Sequence, residues 1–316
     1  MSTETSGKKW KKRDKMVKTT DRILENPVST DIIIPIMGPT GSGKSTLVNL
    51  LAGREAVTVG NQLESCTVDL CPFIIEPKDW TNPTTDPTPR RLILVDTPGF
   101  DDTYVEDSEI LRRISVWLAA SYNDSMKIAG VIFLHEISQV RMRGTARRNT
   151  DVFKKLCGED IMQYVALCTT MWEGVSLETG NARENQLRDT YWKDMTDEGA
   201  QIMRIRRESA SAWRAVNAIL TRHKGGLEDF TIMSIQKELV DLQKLLPDTE
   251  AGKSLRASLE KELEQQKQRM KQLVESAGPN GSQEQQRQRE EIQKTLDHIA
   301  TLNISVPRRI LNFFAV

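Results

Sequence analysis

Cysteine is scarce in this chain of 316 residues, with four in all: Cys66, Cys71, Cys157 and Cys168. None forms a C-x-x-C pair, and no histidine stands near them at metal-ligand spacing. Neither a zinc site nor a disulfide framework is indicated, and reduced thiols in the cytosol are expected. Long apolar runs are missing too. None approaches the roughly 18 residues that a membrane-crossing helix needs, and the N-terminus lacks the apolar centre of a secretory signal. Net charge is also absent, because 44 Lys and Arg balance 44 Asp and Glu. Whole-molecule electrostatics therefore favour neither nucleic acid nor a membrane surface. These absences lead to the expectation of a soluble, cytoplasmic protein without a nucleic-acid partner.

The charge that is present clusters near the N-terminus, where GKKWKKRDKMVK carries seven Lys/Arg against one Asp. Such a run is usually a solvated arm; an anionic-lipid or nucleic-acid contact is the sharper alternative. Residues 1–28 are set apart as a basic flexible arm.

Beyond the arm, short aliphatic or β-branched runs recur at Ile32–Met37, Phe73–Glu76, Arg91–Asp96, Gly130–His135 and Tyr164–Thr170, with another at Ala200–Ile205. Amphipathic stretches such as Asp107–Tyr122, Asn149–Leu156 and Ser209–His223 are long enough for helices. Runs that are apolar without alternation suit strands buried on both faces. The fold class is therefore α/β, a mainly parallel central sheet flanked by helices, spanning residues 29–224.

Near Gly225-Gly226 the pattern changes. Ile232, Ile235, Leu239, Leu242 and Leu246 recur at spacings of three and four, until Pro247 stops the helix. A second run carries Leu255, Leu259, Leu263, Met270 and Leu273, and a third Ile292, Leu296, Ile299 and Leu302. Residues 225–316 read as a C-terminal helical extension whose stripe, over 228–302, packs on the main domain or makes coiled-coil contacts with another chain.

The chemistry starts at GPTGSGKST, Gly38 to Thr46, directly after the strand-like IIIPIM. It fits G-x-x-x-x-G-K-[ST]. A loop wrapped around a phosphate must turn successive backbone N–H groups inward, and glycine permits that curvature and close approach. Gly38, Thr40, Gly41, Ser42, Gly43 and Thr46 form the cradle. Lys44 would reach the β- and γ-phosphates, Ser45 would place its hydroxyl on Mg²⁺, and the helix that starts there adds its N-terminal dipole.

Some fifty residues on comes RLILVDTPGF. A strand ending in D-x-x-G after a phosphate loop is the second acidic site of a GTPase: Asp96 would hold Mg²⁺ and the N–H of Gly99 would meet the γ-phosphate. The loop between them, VGNQLESCTVDL, must supply a hydroxyl to the Mg²⁺ shell. Thr67 is the candidate, with Thr58 and Ser65 as competitors.

In this order GPTGSGKST, LESCT and LVDTPGFDDT resemble the immunity-associated (GIMAP-like) GTPases and their fungal relatives, in the septin and Toc branch of the P-loop GTPases. IFLHEIS, RMRGTARRN, FKKLCG and LCTTMWEGV strengthen the likeness to the fungal members. The resemblance covers about Asp31 to His223, including RESASAW, and continues weakly into IQKELVDLQKLLPDTEAGK. It implies a G domain, Mg²⁺ with GTP or GDP as bound nucleotide and, in several members, a nucleotide-dependent homodimer.

The base-reading box departs from the usual [NT]-K-x-D. After YVALCT the aligned tetrad is Thr170-Met171-Trp172-Glu173, in which Glu173 can supply the carboxylate that pairs with guanine's donors. Met171 replaces the lysine and could still pack its stem on the base. Trp172 reads as a core or lid aromatic. In RIRRESASAW, Ser209 and Ala210 are the nearest match to the last base-binding loop, with Ser209 equally readable as a helix N-cap.

In Ras-type GTPases a glutamine directly after D-x-x-G orients the attacking water. Phe100 stands there and cannot hydrogen-bond, so slow hydrolysis is expected. Water positioning falls to Asp101, Asp102, His135, or an arginine among Arg141, Arg143, Arg147 and Arg148. The resemblance places that arginine-rich stretch near the nucleotide-dependent dimer face, which would let an arginine act in trans; a solvated basic loop is the alternative. The function expected is a Mg²⁺-dependent GTPase of low intrinsic rate that switches and dimerises with nucleotide state. A nucleotide-gated assembly protein with negligible turnover and a P-loop kinase are the competing classes.

Overall fold

The computed structural model describes residues 28, 30–56, 70–83, 88–102, 105–123, 126, 128–140, 144–223, 232–277 and 283–302. The expectations for residues 1–27, Thr58, Ser65, Thr67, Arg141, Arg143 and SVPRRILNFFAV lie outside the described residues.

The strands β1 (Ile32–Met37), β2 (Cys71–Ile75), β3 (Leu92–Asp96), β4 (Val131–Glu136), β5 (Val165–Thr170) and β6 (Gln201–Arg204) form one sheet in the order β2-β3-β1-β4-β5-β6. All neighbours run parallel except β2, which pairs antiparallel with β3. This is the α/β architecture that the apolar runs imply, with boundaries shifted by one or two residues. The central strand β1 is buried along its whole length, which explains why IIIPIM shows no polar alternation.

Its side chains split by the strand period of two. Ile32, Ile34 and Ile36 join Leu47, Val48 and Leu51 of α1 (Lys44–Ala52), and Ala212, Ala215, Val216 and Ile219 of α6 (Ser209–Leu220), on one face. Ile33 and Met37 face the other side, with Ile110, Leu111 and Ile114 of α2 (Asp107–Asn123) and Val152, Phe153 and Leu156 of α3 (Gly144–Cys157). Helices α4 (Leu177–Gln186) and α5 (Lys193–Asp197) lie between β5 and β6 in the chain. Helix α3 begins earlier than its apolar pattern because its first turn, GTARR, is polar.

The run from Ile232 to Leu246 departs from expectation. It is helical only through α7 (Ser234–Gln236) and one π-helical turn at Lys237–Asp241. Gln243 then takes a left-handed φ of 48°, and Leu242 and Leu245 are left exposed. Helices α8 (Glu250–Ala277) and α9 (Gln283–Leu302) form a hairpin laid on the main domain, α8 against α3 and α9 against α2. Met233, Ile235, Leu239, Leu246, Leu255, Leu259 and Leu302 enter the same core cluster as Ile33 and Phe153. The buried part of the described apolar stripe of 225–316 thus joins the core of the main domain, while Ile232, Leu242, Leu245 and Leu296 stay exposed. The seam between α8 and α9 is partly polar: Thr295 Oγ1 donates to Gln266 Oε1 at 3.0 Å, and Gln285 Nε2 to the Leu273 carbonyl at 3.2 Å.

Leu259 is 1% exposed and Leu296 is 40% exposed. Removing a buried leucine side chain destabilises by about 2–5 kcal/mol, whereas a surface change stays within about 0.5 kcal/mol. Leu259→Ala is therefore expected to lower the unfolding free energy in urea by an amount in the first range, and Leu296→Ala by one in the second. Equal, small losses would show that the hairpin does not pack on the domain in cis.

Candidate functional site

The loop after β1 owes its shape to glycine at a close approach. Gly38 has a φ of 145°, and a methyl group added there would lie 2.5 Å from the Leu134 carbonyl oxygen. No side chain fits. The loop ends at Gly43, the N-cap of α1, where no side chain caps the helix and no acidic residue occupies its first turn. The positive end of the α1 dipole is therefore left facing the loop.

Lys44 is 5% exposed, and its Nζ donates to the carbonyls of Gly38 at 3.2 Å and Pro39 at 2.9 Å. Burial lowers its pKa to about 8, and the charges of Asp96 and Asp102 oppose that shift. Ser45 Oγ donates to Asp96 Oδ2 at 2.7 Å, which brings the two expected metal ligands among the described residues together. Both are hard oxygen donors, the kind Mg²⁺ prefers.

The D-T-P-G segment is fastened to this loop. Thr97 Oγ1 donates to the Ile36 carbonyl at 2.8 Å, Thr40 N to the Phe100 carbonyl at 2.8 Å, and Phe100 N to the Gly38 carbonyl at 3.3 Å. Gly99 lies so close to Thr40 that an added methyl would sit 2.5 Å from the Thr40 nitrogen, so this glycine too is required by space. Thr40 Oγ1, with a single proton, donates to Gly99 O at 3.3 Å or to Asp102 Oδ2 at 3.2 Å. Phe100 is 1% exposed, in the core beneath the loop.

At the far side Thr170 Oγ1 donates to the Ser42 carbonyl at 2.8 Å, with the His135 carbonyl at 3.3 Å as the alternative acceptor, which places the end of β5 against the loop after β1. Met171, with a left-handed φ of 59°, reaches over the loop: a methyl added to Gly43 would be 3.7 Å from its Cε. Trp172 is buried, donates from Nε1 to Thr169, and lies under the Arg204 guanidinium at 4.2 Å. It packs as a core aromatic. Glu173 is exposed on the 3-10 turn Trp172–Gly174. Ser209 is exposed as the first residue of α6, whose N-cap is Glu208 and not Ser209. The loop is closed by Ser211, whose hydroxyl accepts from Arg206 N and donates to the Arg206 or Glu208 carbonyl.

His135 sits elsewhere. It is 6% exposed and meets Trp192 edge-on at 5.9 Å, in the layer that holds Phe133 on the face away from α1. Burial lowers its pKa to about 4, so near pH 7 it is neutral and offers no charge to a phosphate. Of the arginines, Arg147 is exposed, whereas Arg148 pairs with Asp107 of α2 at 2.8 Å and Glu262 of α8 at 2.7 Å. Nothing in the sequence signals that link, because its partners are 41 and 114 residues away.

Residues 33–159 match the family described as 50S ribosome-binding GTPase. No curated protein matches the chain. Among solved structures, it is similar to Toc33 from Arabidopsis thaliana in complex with GDP and Mg²⁺, at 16% identity over 62% of this chain and 86% of that one, with a TM-score of 0.46. The same protein with Mg²⁺ and GMPPNP gives 17%, 60%, 83% and 0.44. The elongation factor SelB from Methanococcus maripaludis gives 12%, 65%, 35% and 0.41. The mostly parallel sheet flanked by helices has the fold class of a P-loop GTPase G domain, and the C-terminal helices α8 and α9 lie beyond the matched residues.

Lys44 carries a testable linkage. The unfolded chain holds this proton to higher pH than the folded one, so the lysine's contribution to stability increases as pH rises from about 8 toward 10.5. A bound polyphosphate favours the charged form and raises the pKa again. Nucleotide binding at about pH 9 should therefore take up a proton that binding near pH 7 does not. The check is calorimetry in buffers of different ionisation enthalpy, where the apparent binding enthalpy should depend on buffer only at the higher pH.

Proposed function

We propose that this chain binds GTP and GDP with Mg²⁺, hydrolyses GTP at a low intrinsic rate, and switches and dimerises with nucleotide state. The observation that carries the reading is the buried Lys44 ammonium. Its partners among the described residues are carbonyls, its charge is left short of compensation, and it lies at the start of an uncapped helix. A polyanion resolves all three features at once. The match of residues 33–159 to a GTPase family supports a guanine nucleotide as that anion.

In this reading Gly38, Thr40, Gly41, Ser42, Gly43, Lys44, Ser45 and Thr46 hold the phosphates. Ser45, Asp96 and Thr67 hold Mg²⁺, which neutralises charge on the β- and γ-phosphates when bound. Gly99 senses the γ-phosphate, so GTP and GDP leave the D-T-P-G loop in different places. Thr170 fixes the floor of the base pocket through Ser42, Met171 lines it, Glu173 pairs with guanine, and Ser209 lies in the last loop. His135 is assigned to packing. With Phe100 in the core, no side chain at that position can orient water, which keeps the intrinsic rate low. Arg148 is held in cis; an exposed neighbour such as Arg147 is the arginine that a second copy could present. The buried Phe100 also favours a second reading, nucleotide-gated assembly with negligible turnover.

Lys44→Ala should weaken GTP roughly 100-fold or more, since it removes charged hydrogen bonds worth about 1.5–3 kcal/mol each. Binding within a few-fold of wild type would overturn the phosphate-site assignment. Glu173→Ala should weaken GTP roughly 10- to 150-fold and ATP little, because it leaves two donors of guanine unpaired. Equal losses for both nucleotides would move the guanine reader elsewhere.

Pairing is read from turnover per chain, which should rise with protein concentration, beside a monomer-to-dimer shift with a non-hydrolysable analogue. A dimer without turnover would select the assembly reading. Monomers in every nucleotide state, with constant turnover, would leave a solitary slow GTPase.

A further inference from the structure

We infer that Asp102 is the residue that orients the attacking water, and that the Thr40 hydroxyl positions it for the task. The inference rests on the proposed GTPase activity and concerns which group serves that same site. Three residues follow D-T-P-G directly, and their surroundings separate them. Phe100 is buried and apolar. Asp101 has a left-handed φ of 59°; its N–H donates to Asp107 Oδ1, and its carboxylate accepts from the Thr145 hydroxyl at 3.2 Å, which turns it toward α3. Asp102 faces the phosphate loop instead. Its Oδ2 accepts from Thr40 Oγ1 at 3.2 Å, and its Oδ1 accepts from Val105 N at 3.1 Å.

The same Thr40 hydroxyl also lies 3.3 Å from the carbonyl of Gly99, the residue expected to meet the γ-phosphate, as its alternative acceptor. One hydroxyl of the phosphate loop thus lies between the carbonyl of the sensor glycine and a carboxylate three residues on. Asp102 is close enough to the site for its charge to act on the Lys44 ammonium. A carboxylate fixed at one oxygen by a backbone N–H and at the other by the loop has the rigidity that water positioning needs. It also has the acceptor that Phe100 lacks.

In the step this implies, the water oxygen forms a bond to the γ-phosphorus while the bond from that phosphorus to the β–γ bridging oxygen breaks. The electron pair of the broken bond stays on GDP. One water proton, accepted by Asp102, passes to the departing inorganic phosphate. No redox change or further reactant is involved.

The test compares GTP and GDP affinity with single-turnover hydrolysis for wild type, Asp102→Asn, Asp101→Asn and Thr40→Val. Asp102→Asn should lower kcat by about 10²–10⁴-fold while both dissociation constants stay within a few-fold, and should remove the acidic limb of the kcat–pH profile. Thr40→Val keeps the shape and loses the hydroxyl, so it should lower kcat by a larger factor than it weakens GDP, and it carries the test if Asp102→Asn does not fold. Wild-type turnover with Asp102→Asn equally active, or with the loss in Asp101→Asn instead, overturns this inference and leaves the GTPase reading standing. Wild type that binds no GTP, or binds it without turnover, overturns both.

Discussion

An ammonium group held out of water must be surrounded by acceptors or by compensating charge, and the Lys44 ammonium organises the site around that need. Gly38 and Pro39 turn their carbonyls toward it, which forces the loop to curl back over its own lysine. The curl brings Gly38 against the Leu134 carbonyl of β4, so residue 38 can carry no side chain. The same loop is then bridged to Phe100 and pinned by Thr170. Sheet, loop and D-T-P-G segment are three parts of one arrangement that keeps a cation buried and short of counter-charge.

The second feature of the fold is that the helical extension is part of the main core. Leu255 and Leu259 of α8 and Leu302 of α9 close the face of the sheet on which α2 and α3 lie. The Arg148 guanidinium spans all three layers, from Asp107 at the start of α2 to Glu262 on α8. A side chain that is 12% exposed and paired on both sides has a fixed structural position. Asp107 also accepts from the backbone of Asp101, so the hairpin and the segment after D-T-P-G share one ion-pair network. Partly buried charges arranged this way are costly to leave unpaired.

Much of this was legible in the sequence. GPTGSGKST and LVDTPGF are local patterns in which each residue type answers a local need: curvature, a point charge, a hydroxyl, a carboxylate at a strand end. The strand runs were legible because burial on both faces removes polar alternation. The runs gave the strands and a mainly parallel sheet but not its order, and Trp172, readable as a core or lid aromatic, is placed in the core only by the fold. The extension was legible as helices, but the stripe from Ile232 to Leu246 misled. Spacings of three and four persist there, although the backbone turns out of the helix after Asp241.

What the tertiary structure decided is which of several chemically equivalent residues lies against the loop after β1. Asp101 and Asp102 are identical and adjacent in sequence. A left-handed backbone at the first and a hydrogen bond from Thr40 to the second give them opposite surroundings. His135 and Arg148 are similar cases, one turned onto Trp192 and the other locked between helices. The sequence by itself determined the residue types and the local backbone the chemistry requires, because those depend on near neighbours. Side-chain direction depends on partners 41 to 114 residues away, and only folding brings those into contact.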